Sequence, residues 1–286
     1  LESNYFEFST LPFLKVKDYA ISNEEFSLLM DLDYQILKTD PQPDENKIGA
    51  YYESEDYISH TNHQRNFIEK LYHYVKLISL KRKVKLINYW NLEEGKLLDF
   101  GAGTGDFLWE AKQSNWKAFG IEPSEKAKTI GKEKGLCYAE SLSDFEDHFF
   151  DVITLWHVLE HVHDLNGTIL ELKRVLKPNG TLIVAVPNFK SYDASYYKEF
   201  WAAYDVPRHL WHFSRAAIDS LFSVHHMKIQ KTIPMYFDSF YVSLLSEKYK
   251  SKNPFYIKPF FIGLLSNIKG FKSKEFSSHQ YIIQNR

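Results

Sequence analysis

Leu97-Leu98-Asp99-Phe100-Gly101-Ala102-Gly103-Thr104-Gly105-Asp106 is the stretch whose reading decides the fold. Leu97 and Leu98 end a short apolar run after Gly95, as a buried strand does. Gly101, Gly103 and Gly105 then make a turn with little side-chain bulk. Phe107, Leu108 and Ala111 follow at helical spacing, so the turn opens a helix. Strand, glycine turn and helix N-terminus together form a cradle for a nucleotide-like ligand. Asp99 falls at the strand's carboxyl end, where open α/β sheets bind their ligands.

The order of residues narrows the ligand. The dinucleotide fingerprint is G-x-G-x-x-G. Gly101 and Gly103 fit it, but Asp106 stands where the third glycine belongs. A carboxylate at Asp99 suits an ammonium better than a pyrophosphate. The next strand, Ala118-Phe119-Gly120-Ile121, ends in Glu122, and 122 − 101 = 21 is close to the ~20 residues expected before a ribose-binding acid.

Three stretches, each at a strand end and in this order, carry a resemblance. They are Leu97–Gly105, Gly120-Ile121-Glu122-Pro123-Ser124, and Phe150-Asp151-Val152-Ile153-Thr154-Leu155-Trp156-His157-Val158-Leu159-Glu160-His161. Together they resemble the successive motifs of class I S-adenosylmethionine (SAM)-dependent methyltransferases. The resemblance implies a Rossmann-like α/β fold with a seven-stranded sheet, mostly parallel, its last strand antiparallel. It implies SAM as methyl donor and S-adenosylhomocysteine (SAH) as product. Asp99 with Gly101, Ala102 and Gly103 would hold the amino-acid part. Glu122, followed by Pro123, would take the ribose hydroxyls, and Leu142 would meet the adenine. Trp156 and His157 would lie beside the cationic sulfonium, which an aromatic face favours.

Methyl transfer from a sulfonium needs mainly alignment of acceptor, methyl and sulfur. A hydroxyl or acidic-carbon acceptor also wants a base. The candidates are His157, His209 and His212, because histidine titrates near pH ~6.5. Each also has a purely structural reading. His157-Val158-Leu159-Glu160-His161 matches the protease pattern H-x-x-E-H, which needs a helix, whereas here a strand leads directly into it. The stretch also resembles ubiquinone-pathway O-methyltransferases, which have an E-x-x-E-H metal site. Glu160 and His161 match, but His157 replaces the first Glu, and no metal ligand is assigned.

Composition sets the outer bounds. The chain has 286 residues, 44% hydrophobic and 25% charged, enough for one large domain or a domain with a cap. A net charge of −2 gives no reason to expect nucleic acid as a partner. A single cysteine, Cys137, excludes an intramolecular disulfide and fits a reducing, cytoplasmic setting. Leu1 to Thr10 show no signal peptide, although the absence of an initial Met leaves room for a removed leader. No stretch reaches the ~18 apolar residues that span a bilayer.

Residues 1–60 read as an acidic, aromatic-rich cap, with Asp40-Pro41-Gln42-Pro43-Asp44 as a turn or linker. Asp18–His60 resembles the front of a methyltransferase subfamily with a Cys-x-x-Cys zinc knuckle. Asp31 and Tyr34 stand at the cysteine positions, so no structural zinc is expected. Residues 61–286 form the SAM domain. Its entry, 62–90, is one helix or two, with seven basic residues facing one acid, read as a solvated face or as attraction for an anionic substrate or a membrane surface.

Ser124 N-caps a helix that runs through Lys134 and ends at Gly135, and Lys177-Pro178-Asn179-Gly180 stops the helix begun at Asp164. Thr181–Val186, Lys228–Pro234 and Gln280–Gln284 complete the sheet. The insertion 188–214 is expected to act as a lid. With the tyrosines of 51–57 it would form the acceptor pocket. The aromatic stretch 235–266 reads as a second pocket wall, a dimer contact or a surface patch.

The function expected is methyl transfer to oxygen or carbon of a small molecule. A SAM-binding protein without turnover, as a sensor or partner subunit, is the alternative. A nucleotide-dependent oxidoreductase is disfavoured by the missing third glycine. Sequence does not give the oligomeric state.

Overall fold

A computed structural model describes residues 6–52, 67–91, 95–251 and 257–285, with side chains described from residue 76 onward in the helix that begins at Phe67. Tyr57, one of the tyrosines of 51–57, and the first part of the 62–90 entry lie outside the described residues or side chains.

The N-terminal segment is a small antiparallel sheet. Strands β1 (Phe8–Lys17), β2 (Glu25–Asp31) and β3 (Leu37–Asp40) pair in sequence order. Asp31 builds the β2–β3 turn. Its carboxylate accepts from the amides of Glu7, Asp33 and Tyr34.

The helix α1 (Phe67–Trp90) is continuous and leads into the main sheet. That sheet alternates with helices: β4 (Lys96–Phe100), α2 (Asp106–Gln113), β5 (Lys117–Ile121), α3 (Glu125–Glu133), β6 (Cys137–Ala139), β7 (Phe150–Trp156), α4 (Leu165–Val175) and β8 (Leu176–Pro187). The Ser124 side chain accepts from the Ala127 amide and caps α3, and Gly135 ends that turn with φ +72°. Helix α4 stops before Lys177, as the Pro-Asn-Gly stretch dictates. The following strand, however, already begins at Leu176.

The chain continues through α5 (Tyr192–Tyr197), the short strand β9 (Trp211–His212), α6 (Arg215–Val224), β10 (Met227–Pro234), α7 (Asp238–Lys250), α8 (Ile257–Ser273) and β11 (Ser278–Asn285). The seven main strands lie in the order β10-β11-β8-β7-β4-β5-β6. The pairs within β8-β7-β4-β5-β6 are parallel, and β11 runs antiparallel to both its neighbours. The α/β, Rossmann-like sheet with an antiparallel last strand is therefore present as read.

The insertion differs from its reading as a lid. Strand β9 completes the N-terminal sheet by pairing with β3, Leu37 opposite His212 and Lys38 opposite Trp211. Tyr197, Trp201, Tyr204 and Val206 are buried with Phe26, Leu28 and Leu37 in one cluster. The aromatic content of 188–214 is thus spent on a second core that the insertion shares with the N-terminal sheet, α7 and α8. Burial of large aromatic area, the strongest apolar driving force available to the chain, explains why it packs inward.

Arg208 holds this layer electrostatically. It is fully buried and bonds Asp18 at 2.8 Å, Asp205 at 2.7 Å and the Tyr51 carbonyl at 2.9 Å. Burial alone would raise the Asp18 carboxyl, but Arg208 and the Ser22 amide outweigh it and hold it below its ordinary value.

Candidate active site

The parallel register sets Asp99 level with Gly120 on one side and Thr154 on the other. Asp99 is buried, 3% exposed, and accepts from the Thr154 hydroxyl at 2.7 Å. Burial pushes its carboxyl up to about 7. The Thr154 hydroxyl and the Lys83 ammonium oppose that rise, and the Glu122 carboxylate adds to it.

Beyond Asp99 the backbone turns sharply. Gly101 and Ala102 donate to the Ile121 carbonyl at 2.8 and 3.0 Å, which ties the turn to the end of β5. Gly101 has φ +80°, and a Cβ there would strike Val158. Gly103 has φ +53°, and a Cβ there would meet nothing within 4 Å. The first glycine is therefore demanded by packing. The second faces open space at the strand tips, where a ligand approaches backbone closely.

Glu122 spans that space. Its carboxylate accepts from the Gly103 amide at 2.8 Å and the Ser124 amide at 2.9 Å. Each oxygen keeps a further lone pair for a diol. Pro123 is exposed beside it, and Leu142 is buried in the turn after β6. The residues read as cofactor-binding thus lie at the ends of β4, β5, β6 and β7, on one edge of the sheet.

Sequence reasoning missed three supports of this cradle. The Tyr138 hydroxyl donates to the Gly103 carbonyl at 2.9 Å. Lys134 bonds the Thr104 carbonyl at 2.9 Å and Asp106 at 2.7 Å. Lys83, read as part of a solvated face, sits with its ammonium 4.3 Å from the Trp156 ring centroid. Burial lowers it to about 8, against the attraction of Asp99 and Asp238. The alternation of Lys with Leu and Val in α1 carried a hint, but only the tertiary fold shows which lysine turns inward.

His157 has φ +59°, a backbone conformation rare for a residue with a Cβ. Its Nδ1 lies 3.4 Å from Glu160 and its Nε2 3.2 Å from Asp238, at the start of α7. Burial works against the charged ring, but the two carboxylates outweigh it and raise His157 to about 10. That corrects the reading of His157 as a base: both ring nitrogens already face carboxylates, and the ring carries the charge.

His212 is corrected as well. Its Nε2 is 2.9 Å from the Thr39 hydroxyl, which itself donates to the His209 carbonyl at 2.7 Å. Burial, reinforced by His209, holds its pKa well below the ordinary value. The ring ties β3 to β9.

Glu160, assigned no role from sequence, is the hub of the cluster. It is 1% exposed, and apart from the His157 contact neither carboxylate oxygen has a hydrogen-bond partner. His161 and His209 stand in T-shaped contact, ring centroids 4.6 Å apart. Glu160, His161 and His209 each offer a ligand atom within 4.8 Å of the others, the one such group among the described residues.

The Nδ1 atoms of His161 and His209 each lie 2.9 Å from a carbonyl oxygen, of Arg208 and Ala203 respectively. A carbonyl only accepts, so Nδ1 carries the proton and Nε2 the lone pair, the arrangement of a metal-ligating histidine. Burial and the neighbouring His209 lower His161 to about 4, which keeps it neutral. The donor set fits a divalent transition ion, although no ligand was assigned from sequence. Titration with cobalt(II), followed by visible absorption, should show stoichiometric binding that weakens at least ~10-fold in His209→Ala. A flat titration would dismiss the site.

Comparison with known proteins bears on the family and the fold. A family model described as "Methyltransferase domain" matches residues 61–225. A demethylmenaquinone methyltransferase of Staphylococcus aureus (strain MRSA252) is 34% identical over 120 residues, which cover 36% of this chain and 50% of that protein. The same enzyme from strain JH9 is 33% identical over the same shares. The chain spans about half the length of the curated relatives it matches.

Among solved structures, magnesium protoporphyrin IX methyltransferase (ChlM) from Synechocystis PCC 6803 with bound SAH superposes with a TM-score of 0.56 at 15% identity. The match covers 85% of this chain and all (100%) of that one. A SAM-dependent methyltransferase from Archaeoglobus fulgidus gives 0.51 at 16% identity, covering 73% and 93%. These likenesses concern the fold. The family match spans more than half of the chain and ends beyond the strands that build the acid-glycine-acid cradle, so the chain belongs to the methyltransferase-domain family.

Proposed function

We propose that the protein binds SAM across the tips of β4 and β5 and transfers its methyl group to a small-molecule acceptor. The observation that carries this reading is the pairing of two carboxylates around an open left-handed glycine. Asp99 is buried at one end for an ammonium. Glu122 lies across Gly103 at the other for a ribose diol. Leu142 and Pro123 border the adenine end, and Trp156 the sulfonium.

In this reading Asp99, the Gly101–Gly103 backbone and Glu122 fix the donor, and transfer proceeds by alignment. No side chain is cast as base, because both nitrogens of His157 face Glu160 and Asp238, His212 is engaged with Thr39, and His209 belongs to the Glu160 cluster. His157 instead links the strand tip to α7. A divalent ion held by Glu160, His161 and His209 would supply a fixed positive charge beside it. A small-molecule acceptor agrees with the relatives named as demethylmenaquinone methyltransferases. The aromatic insertion is a wall of the neighbouring core in this reading, not the cover of the donor.

The experiment is calorimetry with SAM and SAH, followed by transfer of labelled methyl from SAM to small-molecule extracts. Glu122→Ala should weaken both ligands by about ten- to a hundred-fold, the worth of charge-assisted hydrogen bonds of ~1.5–3 kcal/mol. Unchanged affinity would move the donor elsewhere. Tight SAM binding without transfer to any extract would favour a binding protein.

A further inference from the structure

Helix α8 is amphipathic in the inverted sense. Its inward face is mostly small or polar: Gly263, Ser266, Asn267 and Gly270 are buried, beside the apolar Pro259 and Ile262. A Cβ on Gly263 would lie 2.9 Å from the Phe240 backbone, and one on Gly270 would lie 2.7 Å from the Phe276 ring. Close backbone contact therefore fixes which face points out. The outward face carries Ile257, Phe260, Phe261, Leu264, Ile268 and Phe271, each between 37% and 58% exposed.

Their spacing of three and four makes one continuous stripe. Single exposed apolar residues are ordinary, but a contiguous stripe of six, roughly 500 Å², is the size of a functional patch. Tyr236 and Phe237, 41% and 45% exposed, extend it, and the Tyr236 ring stacks on Phe271 at 5.7 Å.

Charge selects what covers the stripe. The stretch from Lys248 to Lys274 carries seven lysines and no Asp or Glu, in a chain of net charge −2. Lys258 pairs with Glu247 at 2.9 Å, but Lys269 and Lys272 of α8 have no acid beside them in the sequence, and a second copy of the same face would set them against their like, which repulsion opposes. An anionic lipid surface meets both features at once, with apolar side chains entering the acyl boundary and lysines resting on the headgroups. Among the described residues no helix is long and apolar enough to cross a membrane, so α8 would lie in the surface plane.

We propose that α8, with Tyr236 and Phe237 beside it, forms a docking face for anionic membranes. The face adjoins the proposed active site: Phe237 precedes Asp238, which holds His157. Docking brings the strand tips to the bilayer, and the acceptor is then a lipid-dissolved molecule. That second statement rests on the methyltransferase reading; the docking does not.

The test is co-sedimentation of the full chain with vesicles of phosphatidylcholine alone and with 30% phosphatidylglycerol. Binding should require phosphatidylglycerol. At about fivefold per lysine near such a surface, Lys269→Glu/Lys272→Glu should weaken it at least ~10-fold, and Phe260→Ser/Phe261→Ser should weaken it comparably. Melting temperature and SAM affinity should hold in both variants, so loss of docking is read apart from loss of the donor site. Equal binding to both vesicles, no binding to either, or a dimer that Phe260→Ser/Phe261→Ser dissociates would overturn the proposal.

Discussion

Replacing Arg208 by methionine is expected to destabilise the fold by ~3–5 kcal/mol, the range for removing one partner of a buried ion pair. The substitution keeps an unbranched apolar stem, so most of the loss is the guanidinium and its bonds. What remains is Asp18, buried with its carboxylate shaped to a missing guanidinium. Asp205 and the Tyr51 carbonyl lose a donor as well.

At ~2–4 °C per kcal/mol for a domain of this size, the melting temperature should fall by roughly 6–20 °C. Asp18→Asn in the same background should recover part of the loss, since it removes the uncompensated charge. A double-mutant cycle read by thermal unfolding checks both. A shift below ~2 °C for Arg208→Met would mean that water replaces the guanidinium and that the insertion is not pinned there.

The second large effect is on ligand binding with pH. The folded protein raises Asp99 to about 7, above the ordinary carboxylate value, chiefly through burial. Its stabilising contribution in the unliganded protein is thus complete below about pH 4, where the group is protonated in both states. That contribution is lost as pH rises through about 7. An ammonium ligand wants the ionised form, so its affinity runs the other way. Between pH 6 and 8 the ionised fraction of a group with this pKa rises from about 9% to about 91%, and SAM affinity should increase about tenfold.

Binding at pH 6.5 should release a proton, visible as a dependence of calorimetric heat on buffer ionisation enthalpy. Asp99→Asn should cost about ten- to a hundred-fold in affinity at pH 8 and flatten the profile. A flat profile in the unmodified protein would show that Asp99 does not meet the ammonium.

The parts of the molecule visible in the sequence are those set by local rules. Glycines at 101, 103 and 105 read as a turn because φ is positive at all three. Ser124 and Gly135 marked the ends of α3 because caps are contacts within a few residues. The order of sheet strands followed from strand–helix alternation.

What stayed hidden depends on distant partners. The role of His212 is set by Thr39, 173 positions away in sequence. The Glu160 cluster needs His209 from another element, and the inward turn of Lys83 needs Trp156. Aromatic residues in 188–214 suit a lid and a core equally by composition, and only the pairing of β9 with β3 decides. The aromatic stretch 235–266 reads equally as a pocket wall, a dimer contact or a surface patch. Gly263 and Gly270 let the other face of α8 approach closely, which leaves the apolar one outward.

The pairing of β3 with β9 has a consequence for the order in which the molecule is made. Leu37 lies opposite His212, 212 − 37 = 175 residues later. At ~5–20 residues per second of synthesis, that interval is roughly 10–35 s. Throughout it the outer edge of β3 has no strand beside it, and Asp18 has no Arg208. The N-terminal sheet is therefore made well before it can be closed. A nascent chain arrested before Arg208 should expose an unpaired strand edge to chaperones and proteases, while one arrested soon after Phe213 has emerged should protect it.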